Sequence, residues 1–90
     1  MASSIGWELY RSFLGVLQEG SLSGAARALG LTQPTVGRQI SALEAALGVS
    51  LFTRSQAGLM PTDAALALRN HAEAMHSTAA SMERVALGFG

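Results

Sequence analysis

The 90-residue chain has no cysteine and no lysine, only two prolines, and one each of tryptophan and tyrosine. Without cysteine there is no disulfide framework, thiolate nucleophile or thiolate metal site, which suits a reducing compartment. Charged residues make up 13% of the chain, six arginines against six acids, so the formal charge is zero. A binding mode driven by a large charge of one sign is therefore excluded. The opening "MASSIGWELY" lacks a basic cluster followed by an apolar core, and no later apolar run is long enough to span a bilayer. A cytoplasmic protein with no membrane association is expected.

What is present is apolar. Hydrophobic residues reach 49%, the composition of a packed globule rather than a disordered tail. This length supports one core and not two. The few charges are unevenly spread: residues 1–61 carry a net +1 and residues 62–90 a net −1.

The hydrophobic period is helical over most of the chain. Tyr10, Phe13, Leu14 and Leu17 recur at three- and four-residue intervals, with Glu8, Arg11 and Gln18 on the opposite side and Gly20 as a stop. Ser23 reads as the N-cap of a short helix carrying Ala25, Ala26 and Leu29, closed by Gly30. Thr32 can N-cap a third helix, with Pro34 in its first turn, where a missing N–H removes no intrahelical bond. Val36, Ile40, Leu43 and Leu47 then form a buried stripe ending at Gly48. Two helices joined by a short Gly-containing turn predict a helix-turn-helix.

Beyond Gly48 the period changes. "VSLFTR" and "LMP", separated by a Gly58 turn, predict a β-hairpin. Thr62 and Asp63 then open a helix with no Gly or Pro before Gly88, expected to reach on the order of 35 to 40 Å. Leu68, Ala72, Met75, Ala79, Met82 and Ala86 alternate by four and three along it, a heptad-like seam that predicts a homodimer.

Opposite the buried stripe of the third helix lie Pro34, Arg38 and Ser41, flanked by Thr35 and Gly37, with Gln33 and Thr32 at the tip. That face is narrow enough for a DNA major groove. Arg can bond guanine bidentately, Gln can bond adenine, and the Thr35 methyl can pack on thymine. The helix N-terminus offers N–H groups to phosphate. On a random helix such residues are an ordinary solvated face. The setting favours the groove: Arg54 lies in the adjacent hairpin, suited to the backbone or minor groove, and Ser21 and Ser23 open the preceding helix where phosphate contacts are expected.

The run "EGSLSGAARALGLTQPTVGRQISALEAALGVSLFTR" resembles the N-terminal domain of LysR-type transcriptional regulators, and "PTDAALAL" resembles the start of their linker helix. The paired alanines, "TQP", "RQI", "LE", "LG" and the Leu51, Phe52 and Arg54 positions are all in register. The resemblance implies a mainly α fold: a winged helix-turn-helix of three helices plus a small β-hairpin wing, followed by a long dimerisation helix that pairs antiparallel. Residues 1–61 would be the DNA-binding domain, 62–87 the linker helix and 88–90 a tail or hinge. It further implies that Gln33, Pro34, Thr35, Gly37 and Arg38 line the groove and that Arg54 is the wing arginine. The expected partner is double-stranded DNA carrying an interrupted palindrome. A small-molecule effector would bind only through a C-terminal domain absent here, so the chain is expected to be a fragment or a truncated member.

Departures from the family pattern reduce charge and polarity on the binding face. Gly37 replaces a common serine, Ser41 and Ala42 stand where basic residues are frequent, and no second arginine occurs near Ala57 or Gly58. Ala65 replaces a common glycine at the linker-helix start.

Other functions fit the residues less well. The serines have no evident base, and His71 and His76, five apart, point about 140° apart on a helix. Glu73 and His76 share a face, yet two ligands are too few for zinc. No enzyme, metal or cofactor is expected. The remaining rival is a helical protein-interaction module, which the weak basicity favours and the register of Gln33, Arg38 and Arg54 opposes.

Overall fold

A computed structural model describes residues 5–90. Three helices, α1 (Trp7–Glu19), α2 (Leu22–Leu29) and α3 (Gln33–Leu47), precede a hairpin of β1 (Phe52–Ser55) and β2 (Gly58–Pro61), and α4 (Asp63–Leu87) follows. This is the mainly α winged helix-turn-helix with a long final helix that the sequence predicts.

The first helix buries Phe13, Leu14 and Val16. Two of its polar residues depart from the simple amphipathic reading. Ser12 is fully buried, where its hydroxyl donates to the Gln39 side-chain oxygen of α3. Arg11, expected on the solvated side, is half-buried, and its Nε has no hydrogen-bond partner among the described residues. The cause is close packing: α1 touches α2, α3 and α4, so three of its faces are covered rather than one.

Ser21, not Ser23, caps α2. Ser21 has extended backbone, and its Oγ accepts the Gly24 N–H at 3.0 Å. Ser23 already lies within the first turn of the helix, one residue too late to act as the cap. At the other end Gly30 takes a left-handed φ of 68°, which reverses the chain within three residues and delivers it to Thr32. Thr32 caps α3 as expected, its hydroxyl accepting the Thr35 N–H at 3.4 Å, with Pro34 in the first turn.

Val36, Ile40 and Leu43 of α3 are buried against Phe13, Ala25 and Ala26. Small residues on α2 allow that close approach. The hairpin is antiparallel with Phe52 opposite Pro61 and Arg54 opposite Leu59. Leu51 is completely buried just before it, and the Phe52 ring lies 5.9 Å from that of Phe13, tilted by 55°. The wing therefore grows out of the core.

Helix α4 starts at the wing base, where Thr62 caps it through the Ala65 N–H at 3.2 Å. Ala65 and Ala72 are buried against the three-helix body, and Leu68 packs beside them. This corrects one expectation. Ala72, placed by the heptad spacing in an intermolecular seam, is part of the protomer's own core, because α1 lies across that turn of α4. Beyond it the helix runs free, with Met75, Met82 and Val85 exposed. No helix among the described residues is long and apolar enough to cross a membrane.

Candidate nucleic-acid interface

The buried stripe of α3 leaves its opposite face to solvent. Thr32, Gln33, Pro34, Arg38 and Ser41 are exposed there, with Thr35 and Gly37 half-buried between them. A chain of hydroxyl and guanidinium groups orders this face: Thr32 Oγ1 donates to Thr35 Oγ1 at 2.9 Å, and Arg38 Nη2 donates to the same Thr35 oxygen at 3.2 Å. The Arg38 head is thus drawn toward the N-terminal end of α3, the end that carries Gln33.

The wing stands beside this helix. Arg38, Ser41 and Arg54 line one open concavity whose floor includes Leu22, Ile40 and Phe52. Two arginines from separate elements thereby face the same space. Arg54 is exposed on β1, with Leu59 across from it on β2. At the wing tip the Ser55 hydroxyl donates to the Gly58 carbonyl at 3.2 Å and accepts the Ala57 N–H at 3.1 Å, which tightens the turn.

Of the expected phosphate-facing serines, Ser21 uses its oxygen as the α2 cap, and Ser23 Oγ lies 3.4 Å from Ser21 Oγ. Both sit at the start of α2 and are half-buried. They flank the binding face without lining the concavity.

Three supporting residues escape a reading of periodicity. Glu44, on α3, accepts the Leu51 N–H at 2.7 Å and the Phe52 N–H at 3.4 Å. Thr62 donates its hydroxyl to the Ser50 carbonyl at 2.7 Å, and its N–H to the Leu51 carbonyl at 3.0 Å. Gln39 meets Ser12 in the interior. An acid or amide on a helix reads as solvated from sequence; only its tertiary neighbour reveals the role.

A family model described as bacterial regulatory helix-turn-helix protein, lysR family, matches residues 7–66. The chain belongs to the LysR family. The model covers α1 through the first turn of α4, so the regulatory helix-turn-helix it describes, and not an enzyme, accounts for most of the chain. Among curated LysR-like relatives, PtxE of Stutzerimonas stutzeri, described as an HTH-type transcriptional regulator, is 48% identical over 65 residues, 72% of this chain and 33% of its own length. The chain therefore spans about a third of that relative.

Solved structures agree. A mutant OxyR of Corynebacterium glutamicum matches with a TM-score of 0.91 at 27% identity, covering 98% of this chain and 28% of that one. The DNA-binding domain of CbnR, solved in a DNA complex, matches with a TM-score of 0.79 at 32% identity, covering 94% of this chain and 99% of that one. Among the described residues no three His, Asp or Glu side chains converge as a metal site would require.

Proposed function

We propose that this chain reads double-stranded DNA as a homodimer, with α3 in the major groove and the wing on the flanking backbone or minor groove. The observation that carries the reading is the shared concavity of Arg38, Ser41 and Arg54 beside an exposed helix N-terminus. The DNA complex of the CbnR domain, which matches almost end to end, supports it. In this reading Arg38 and Gln33 contact base edges, Thr35 and Gly37 allow close approach, and Pro34 and Ser41 border the groove. Arg54 contacts phosphate or the minor groove, and Thr32, Ser21 and Ser23 face the backbone.

Residues 1–61 form the reading unit and 62–87 the dimerisation helix. The dimer uses the exposed turns of α4, with Met75, Ala79, Met82 and Ala86 on one face and Leu68 at its inner margin; Ala72 is excluded by its burial. Two-fold symmetry then predicts an interrupted palindrome, with half-sites separated by about one or more helical turns. Any effector is held outside these 90 residues, in the part of the relatives left uncovered by the match. The protein works in the cytoplasm.

The deciding experiment is a salt-series binding titration against a random duplex pool, with sequencing of the bound fraction. Enrichment of an interrupted palindrome, with affinity falling as salt rises, is expected. Absence of retention at low salt would refute the reading and favour a protein-interaction module, which the zero net charge would suit.

A further inference from the structure

A carboxylate joins the wing to the recognition helix. Glu44 Oε2 accepts the Leu51 N–H at 2.7 Å and the Phe52 N–H at 3.4 Å. Phe52 is the first residue of β1, and Arg54 follows two positions later on that strand. The same side chain lines the concavity between Arg38 and Arg54, where it is the only acid.

Electrostatics alone disfavours an acid there, because a polyanion must approach the same surface. Its partners are backbone amides rather than a side-chain cation, so the charge is not neutralised by a neighbour. What it supplies is direction. Burial of Leu51 and Phe52 holds the strand to the core, but apolar contact is non-directional. Thr62 fixes the wing base to α4 through the Ser50 and Leu51 carbonyls. Glu44 is the hydrogen-bonded tie from the hairpin to α3, and a bond to an ionised acceptor is short and geometrically demanding.

We infer that Glu44 is a positioning residue for DNA binding: its carboxylate fixes the start of β1 against α3 and so sets where Arg54 stands relative to Arg38. The inference rests on the DNA-reading role proposed above and adds a residue that acts through Arg54 without itself gripping DNA.

Glu44→Ala and Glu44→Gln remove the same charge but differ in the acceptor, since glutamine keeps an amide oxygen for the Leu51 N–H. Both are titrated, over a salt series, against a fluorescent mixed-sequence duplex of about 30 base pairs, long enough for two half-sites. Glu44→Ala is expected to bind about five- to tenfold more weakly at ~0.1 M salt, with a salt slope lower by about 1, the loss of one phosphate contact. Glu44→Gln is expected to bind as tightly as the parent or tighter. In an Arg54→Ala background Glu44→Ala should cause no further loss.

Equal tightening by both variants would make the carboxylate a repulsive charge and overturn the inference. Additive losses from Glu44→Ala and Arg54→Ala would also overturn it while leaving the role of Arg54 intact. An Arg54→Ala chain that binds like the parent would overturn the wing assignment and this inference together. Should Glu44→Ala fail to fold, amide hydrogen exchange decides. Leu51 and Phe52 should exchange at least about tenfold more slowly than the wing-tip Gln56 amide in the parent and in Glu44→Gln; wing-tip rates at both in the parent would refute the tie.

Discussion

The Thr62 hydroxyl donates to the Ser50 carbonyl at 2.7 Å while accepting the Ala65 N–H at 3.2 Å, so one oxygen closes the wing and caps the linker helix. Thr62→Val keeps the shape and removes both bonds. A loss of about 1–2 kcal/mol is expected, with Thr62→Ser recovering most of it. Urea unfolding midpoints at constant m-value measure the difference, and equal midpoints for the valine and serine variants would show that the hydroxyl contributes nothing.

Arg38 and Arg54 face one concavity from different elements, and their replacement should have different signatures. Arg38→Ala is expected to relax sequence preference at one position of each half-site, by about 1–3 kcal/mol of discrimination. Arg54→Ala should weaken all sequences similarly and lower the salt slope by about 1. Selection followed by titration separates the two, and uniform loss in both variants would contradict the assignment.

Glycine at position 37 is not required by space. A Cβ there would meet only Leu22 Cδ1, at 3.8 Å, an ordinary contact. Gly37→Ser is therefore expected to stabilise α3 by about 0.5 kcal/mol through helix propensity, raising the thermal midpoint. A lower midpoint would mean that the backbone at this position needs its present freedom.

Burial separates the two alanines of the heptad seam. Ala72 is 3% exposed inside the protomer, whereas Ala79 is only half-buried in the single chain. Ala79→Glu should give a folded monomer by sedimentation at a concentration where the parent is a dimer, since a charge in an apolar seam disfavours association. Ala72→Glu should instead destabilise the monomer itself, because it buries an unpaired carboxylate. A dimeric Ala79→Glu chain would place the interface elsewhere.

Much of this architecture is legible in residue spacing. The stripe Val36, Ile40, Leu43 declares its buried face, Thr32 and Thr62 declare helix starts, and Gly30 declares the reversal, since each depends on local geometry. The groove face follows as the complement of the stripe. What spacing does not convey is which polar residue meets a neighbour in space. Ser12, Gln39 and Glu44 belong to chemically ordinary patterns, and their roles depend on elements up to 27 residues away. Ala72 was ambiguous for the same reason: a heptad period is satisfied equally by a second helix of the same chain and by another molecule. Ser21 and Ser23 are both good caps, and only the extended backbone at Ser21 chooses between them.

The hydrogen bond between Ser12 and Gln39 lies on the side of α3 away from the groove face, yet it governs aim. Gln39 adjoins Arg38 in sequence, so a tether on one limits the roll of α3 about its long axis. At a side-chain radius of about 6 Å, a roll of roughly 30° moves a tip by about 3 Å, close to the ~3.4 Å rise between stacked base pairs. A buried hydroxyl thus acts as an index pin. It never meets the nucleic acid, and it decides which rung of the ladder the arginine reaches.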